Sequence, residues 1–339
     1  MLKAIPDIER LNDLLSIPSQ GVIDTWKNIP GDLIILGVAG KMGPTLARMA
    51  RLGLPASSRV IGVARFSDPA VARQLEGWGI EVVRADLLDL EQVARLPDAA
   101  NVIWMGGMKF GTSDQASLTW AMNTLAPANV CLRYRSSRIV AFSSGNVYGL
   151  SPIIRGGSVE SDPPRPVGEY ACSALGRERI FEHFSRVHSI PMAILRLNYA
   201  VEMRYGVLVD IARCVFDEKP VDISMGAFNV IWQGDANAVA LQAFGTLATP
   251  PLMLNLTGPE TLSVRQIALR FGQRFGKPAV ITGTEQTDAL LNNAQYSHRL
   301  FGYPRISVEQ MIDWIASWIE AGGSSLNKPT HFDSRDGRF

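Results

Sequence analysis

From Asp32 onward, short apolar runs alternate with segments of helical length: LIIL (33–36), RVIGVA (59–64), EVVRA (81–85), NVIWM (101–105), RIVAF (138–142) and MAILRL (192–197). Runs this short, β-branched and apolar throughout predict strands covered on both faces, and the spacers between them predict βαβ crossovers. The fold class is therefore α/β, a Rossmann-type doubly wound parallel sheet, over residues 31–198. Ahead of it, Ile8, Leu11, Leu14 and Leu15 at helical spacing, with Trp26 beyond, predict an N-terminal helical extension over 1–30 that caps the sheet. After Asn198 the regularity loosens. A helix from Ala236, a strand-like LMLNLTG (252–258) and helices near 263–275 and 307–320 predict a smaller C-terminal α+β lobe over 199–320. The tail, 321–339, is polar with aromatic anchors Phe332 and Phe339. It either frays or docks, folding Lys328, His331 and Arg335 over the cleft or onto a neighbouring subunit.

Composition narrows the partners. The 339 residues are 47% hydrophobic, enough for one large domain or two fused ones. Thirty-three basic residues against 32 acidic ones leave a formal charge of +1, so no global field recruits nucleic acid or an anionic membrane. No run reaches the roughly 18 apolar residues of a membrane span, and a cytoplasmic protein is expected. Cys131, Cys172 and Cys214 are odd in number with no CxxC pair, and the four histidines show no ligand spacing, so neither a disulfide framework nor a metal site is expected.

The chemistry begins directly after the first strand, where Gly37-Val38-Ala39-Gly40-Lys41-Met42-Gly43 opens a helical segment. In a GxxGxxG at a strand-to-helix turn, the first glycine permits the turn, the second lets backbone approach a pyrophosphate, and the third lets helix and strand pack. The helix N-terminus then faces the phosphates. The second strand ends in Arg65 without the acidic residue that binds the ribose of NAD, which favours NADP, with NAD possible; Arg65 could pair with the 2′-phosphate and stack on adenine. Asp86, followed by Leu87 after the third strand, could accept from the adenine amino group or cap a helix.

The order and spacing of GxxGxxG, Asp86-Leu87, Asn123 in TWAMNTLAPANV, SSGNVYG (143–149) and YACSALGRE (170–178) resemble the extended short-chain dehydrogenase/reductases, specifically the NAD-dependent epimerase/dehydratase family. The resemblance continues through Arg196-Leu197-Asn198, 229–240 and 254–268. It implies that Ser144 hydrogen-bonds the reacting oxygen and that Tyr170 is the catalytic acid/base. It also implies cofactor contacts from Met105, Gly106, Gly107, Asn123 and Tyr170, and a homodimer built through helices around Asn123 and Tyr170. The family's YxxxK motif fails at its last position, which is Ala174. A lysine there would bind the nicotinamide ribose and support the tyrosine with positive charge; alanine does neither. Lys41, Lys109, Arg177 or Arg204 could supply the charge from elsewhere, with Lys109 favoured for its place in the loop after the fourth strand.

The family's dehydratases carry an Asp-Glu pair after the active-site hydroxyl residue, whereas Gly145-Asn146 stands here. Its nucleotide-sugar enzymes grip the diphosphate with an arginine seven residues before a helix-opening aspartate; with Asp235 as that aspartate, the position holds Phe228. The expected substrate is therefore a small sugar, sugar acid or related hydroxy compound. Its candidate contacts are Lys109, Ser144, Asn146, Asn198, Arg204, Trp232 and Gln233, with Arg204 the natural ligand of a carboxylate. Asn198 could instead secure the loop after its strand. The implied activity is NAD(P)-dependent oxidoreduction, with two alternatives: epimerisation through transient oxidation, or a non-catalytic dinucleotide sensor, for which the missing lysine speaks.

Overall fold

The computed structural model describes residues 4–108, 115–328 and 330–337. Seven strands form one all-parallel sheet: β1 (Leu33–Leu36), β2 (Val60–Ala64), β3 (Glu81–Arg84), β4 (Asn101–Trp104), β5 (Arg138–Ser144), β6 (Met192–Leu197) and β7 (Leu252–Leu256). Their spatial order is β7-β6-β5-β4-β1-β2-β3. Alternate side chains of each central strand enter two different cores. Leu33, Ile35 and Val140 pack under helices Gln20–Trp26, Gly43–Gly53 and Gln233–Gln242. Ile34, Leu36 and Ile139 pack under Ala126–Arg133 and Gly168–His188. Burial on both faces explains why β1, β2 and β4 read as unbroken apolar runs. The edge strand β3 instead exposes Glu81 and Arg84, charges that blunt an open sheet edge.

LMLNLTG departs from its expected place in the second lobe. It closes the sheet as β7, in register with β6 from Leu252 opposite Ala193 to Leu256 opposite Leu197. The N-terminal extension also does more than cap the sheet. Helix Ile8–Leu15, capped by Asp7, sends Leu11 and Leu15 into the core of the second lobe, while Gln20–Trp26, capped by Ser19, sends Val22 and Trp26 into the sheet-face core. Trp26 Nε1 donates to Leu241 O at 3.0 Å. The second lobe is built on helices Val207–Phe216, Val264–Phe275 and Val308–Glu320, whose apolar stripes share one core. Among the described residues no helix is long and apolar enough to cross a membrane.

The tail docks. Leu326 N donates to Arg204 O, and Thr330 donates from both backbone nitrogen and Oγ1 to the Asp210 carboxylate. Phe332 is buried against Phe228, Arg335 bonds the carboxylate and carbonyl of Asp288, and Gly337 lies against Gly168 at the start of the Gly168–His188 helix. A strap of backbone and side-chain contacts thus runs from the second lobe to the helix that carries Tyr170.

Beneath that helix lies a charged network with almost no access to water. Arg196 Nε and Nη2 donate to the two oxygens of Glu178 at 2.9 and 2.7 Å, and Arg196 Nη1 donates to the Tyr148 hydroxyl at 2.6 Å. Ser143 Oγ donates to Glu178 at 2.6 Å and Tyr148 to Asn255 Oδ1 at 2.9 Å, so the network ties helix, β5, β6 and β7 together. Side-chain exposures of 4% for Arg196 and 1% for Glu178 place this pair where losing one partner strands a buried charge. Arg196→Met is expected to lower the free energy of unfolding by about 3–5 kcal/mol in urea titrations, and Glu178→Leu/Arg196→Met by clearly less. A double variant as unstable as the sum of its singles would mean that packing, not charge pairing, dominates the site.

Candidate functional site

Strand order reverses between β1 and β4, so the loops that follow them diverge and open a crevice at the carboxyl end of the sheet. A cavity of about 420 Å³ occupies it. One wall is the glycine loop and the other is Met105–Gly107; Phe142 to Ser144 and Asn146 form the floor, and Tyr170 and Arg177 lie on the helix beside them. The second lobe closes the far side with Tyr199, Tyr205 and Gly206, and the strap adds Lys328 and Thr330. A second hollow of about 200 Å³ shares Gly37, Gly40, Met105, Gly106 and Gly107 with the first and continues it past Ala39, Leu87 and Asp86 to Arg65.

The three glycines of the loop are needed for three different reasons. Gly37 has φ +87°, and a Cβ there would lie 2.7 Å from Gly106 N, so the two walls meet through it. At Gly43 a Cβ would drive into the Val38 carbonyl, which ties the first turn of the helix to the loop. At Gly40 a Cβ would meet only Gly37 O, at 3.4 Å, and would otherwise fill the space between the hollows. The Gly43–Gly53 helix, with proline in its first turn, presents its N-terminus there. A backbone cradle with room for a pyrophosphate, flanked by two hollows, fits a dinucleotide.

At the outer hollow Arg65 is exposed, its guanidinium 3.9 Å from Asp86. Arg84 Nη1 donates to the carbonyls of Arg65 and Phe66, bracing the turn at 3.3 and 3.0 Å. Asp86 does not cap the next helix, which Asp89 does; Asp86 Oδ1 accepts from Leu88 N at 3.0 Å, and the residue lines the hollow.

At the inner cavity Ser144 Oγ accepts from Asn146 N and donates to Asn146 Oδ1, both at 3.2 Å. Ser144, Asn146 and Tyr170 line the same space as the glycine loop. Ala174 is fully buried against Val147 and Tyr148. Arg177 also lines the cavity: Nη1 donates to Phe142 O at 3.0 Å and Nη2 to Asn123 Oδ1. Lys41 Nζ donates to Ala200 O at 3.0 Å and sits 3.7 Å over the Tyr205 ring, so it too borders the cavity. Burial above all, with Asp210 and Tyr170 adding to it, pushes the Tyr205 hydroxyl up, and burial does the same for Tyr199; both stay neutral. Lys109 lies outside the described residues.

Several candidate contacts sit elsewhere. Arg204, the expected carboxylate ligand, is not in the cavity wall: its Nε donates to both oxygens of the buried Glu202, at 3.1 and 3.2 Å. Trp232 is buried against Trp314 in the lobe core, and Gln233 donates to Thr45 Oγ1 beneath the glycine-loop helix. Asn123 stands behind the cavity wall, clamping Met108 through its backbone N–H and C=O and donating to Ser173 Oγ at 2.8 Å; it holds the loop in place without lining the cleft. Asn198 lines the cavity, yet its Nδ2 is engaged by Asn229 and Leu290 O. Sequence reasoning missed Tyr199, Tyr205 and Ser67, which come from loops without a recognisable pattern, and Thr330, next to the tail charges but itself unremarked.

The model of the NAD dependent epimerase/dehydratase family matches residues 33–201, and through this region the chain belongs to that family. No curated protein sequence matches the chain. Among solved structures, MoeE5 in complex with UDP-glucuronic acid and NAD is 19% identical with a TM-score of 0.70, covering 86% of this chain and 99% of its own. UDP-glucuronic acid 4-epimerase from Bacillus cereus in complex with NAD is 17% identical with a TM-score of 0.71, at the same coverages. DesIV, a dTDP-glucose 4,6-dehydratase from Streptomyces venezuelae, is also 17% identical, with a TM-score of 0.73 and coverages of 86% and 97%. At these identities the likeness is one of fold.

The glycine geometry separates a binding defect from a folding defect. Gly40→Ala is expected to melt like the parent and to bind dinucleotide at least about tenfold more weakly, because its new methyl enters the cradle. Gly43→Ala is expected to lose about 1–3 kcal/mol of stability by overpacking against Val38. Thermal melts paired with calorimetric titration check both.

Proposed function

We propose that the chain is an NADP(H)-dependent oxidoreductase that interconverts a hydroxyl and a carbonyl on a small sugar, sugar acid or related polyol. The observation that carries this reading is the convergence of Ser144 and Tyr170 on the cavity that the glycine cradle opens into. Ser144 Oγ holds the reacting oxygen, and Tyr170 takes its proton during oxidation or returns it during reduction. A bound nicotinamide supplies the hydride acceptor or donor. Lys41 and Arg177 place two cations in the lining of an open cavity, unlike the closed apolar pocket that a sensor would favour.

Arg65 at the end of β2, with Ser67 beside it and no acidic residue in the ribose-binding position, supports a preference for the 2′-phosphate, although the NAD-bound neighbours show that the fold also serves NAD. The neighbours named above include an epimerase of a UDP-linked sugar, and transient oxidation by the same serine and tyrosine is the second reading. A small substrate is supported by Phe228. It stands where nucleotide-sugar enzymes of the family hold a diphosphate-gripping arginine, and it is buried beneath Phe332 of the strap.

Exposed Leu118, Trp120, Leu125 and Leu132 on the helices between β4 and β5 support the expected homodimer. Sedimentation equilibrium should give twice the monomer mass, and Leu125→Glu should restore the monomer. In a screen of sugar acids and polyols followed at the nicotinamide absorbance, Tyr170→Phe is expected to cut turnover by about 100-fold or more while cofactor still binds. Arg65→Ala should reduce the preference for NADPH over NADH by about tenfold. Unchanged turnover in Tyr170→Phe would remove that residue from the mechanism.

A further inference from the structure

We propose that Arg177 supplies the fixed positive charge that the YxxxK motif places at Ala174, holding the nicotinamide ribose and supporting the oxygen of Tyr170. The inference rests on the dinucleotide reading above and goes beyond it by naming the residue that replaces the motif lysine. Four observations converge on it.

The motif position itself is closed: Ala174 is packed on Val147 and Tyr148, so no cation enters the cleft from there. Arg177 follows Tyr170 by seven residues in one helix, which returns it to the same face two turns on, and both side chains line the same cavity. The guanidinium is clamped rather than mobile: Phe142 O and Asn123 Oδ1 hold its two terminal nitrogens, and Gly107 leaves room for it, since any side chain there would collide with Arg177 Nη2. Asn123 in turn holds Met108 and reaches Ser173, whose hydroxyl donates to the backbone carbonyl of Tyr170 at 3.0 Å, so the cation, the loop and the helix backbone at Tyr170 are braced together.

The fourth observation is electrostatic. Arg177 is 5% exposed, its Nε has no partner, and among the described residues no carboxylate lies within ion-pairing distance of it. The adjacent Glu178 is already taken by both ends of Arg196. Burial pulls Arg177 below the ordinary arginine range, opposed by Tyr170 and then Glu178. A buried guanidinium without a close counter-ion is costly, and an anionic group brought to the cavity wall would offset that cost. Tyr199 and Tyr205 are held neutral by burial, which leaves Tyr170, the first of the groups opposing the effect of burial on Arg177, and a bound dinucleotide to face it.

Calorimetric titration of the full chain with NADPH tests this, using Arg177→Gln, which keeps an amide donor without the charge, and Arg177→Lys, which keeps the charge. Charge-assisted contacts of this kind correspond to about tenfold in affinity, so the glutamine variant should bind at least that much more weakly and the lysine variant within about threefold of the parent. Equal, parent-like binding by both variants overturns the inference while leaving the dinucleotide reading intact. Equal weakening of both with unchanged melting temperatures also overturns it, because the residue would then act as a brace independent of charge. If Arg177→Gln does not fold, the lysine variant decides: retained affinity supports the charge role and lost affinity contradicts it. A parent protein that binds none of NADPH, NADP⁺, NADH and NAD⁺ fails the underlying reading instead.

Discussion

The reversal of strand order between β1 and β4 is the constraint on which the rest of this structure depends. In a doubly wound sheet, successive crossovers on one side of that point go one way and those on the other side go back, so only there do two adjacent strands end in loops that part. In this chain the parting loops carry Gly37, Gly40, Gly106 and Gly107, all four bordering both hollows, with Lys41, Met42, Met105 and Met108 beside them. Sheet topology makes the crevice, and the glycines keep it open to a ligand that must be met by backbone.

The side chains to which a catalytic role is proposed reach the inner end of this crevice on rigid elements. β5 brings Ser144, and the Gly168–His188 helix brings Tyr170 and Arg177 on one face. The helix is held against the sheet by the Glu178–Arg196 pair, which also engages Ser143 and Tyr148. The charged pair under the helix is satisfied internally and fixes position, whereas Arg177 in the cavity wall has no carboxylate at ion-pairing distance among the described residues, which is why the proposal above gives it a ligand. The strap completes the enclosure from outside, pinned by Asp210, Asp288 and the Phe228–Phe332 contact.

The sheet was legible in the sequence because its strands are buried on both faces and therefore read as short apolar runs between helical spacers; LIIL and NVIWM need no further context. LMLNLTG was legible as a strand but not as part of this sheet, since its partner β6 lies some 60 residues earlier and nothing local records the pairing. The glycine loop, Ser144 and Tyr170 were picked out by spacing, and the structure brings all three to one cavity. Arg204 looked available because charge is visible in a sequence and its partner is not: Glu202, two residues away, consumes it. Trp232 and Gln233 failed similarly, drawn into the lobe core and under the glycine-loop helix by packing that no motif encodes. Of the four candidate cations on sequence, Lys109 lies outside the described residues, and burial with the clamp by Phe142 and Asn123 sets Arg177 apart from Lys41 and Arg204.

The central claim is that the crevice binds a nicotinamide dinucleotide with its 2′-phosphate toward Arg65. Isothermal titration of the purified full chain with NADPH and NADH tests it most directly. One site per chain, with NADPH bound more tightly than NADH, is the expected result; absence of heat and of binding with either dinucleotide would contradict the account.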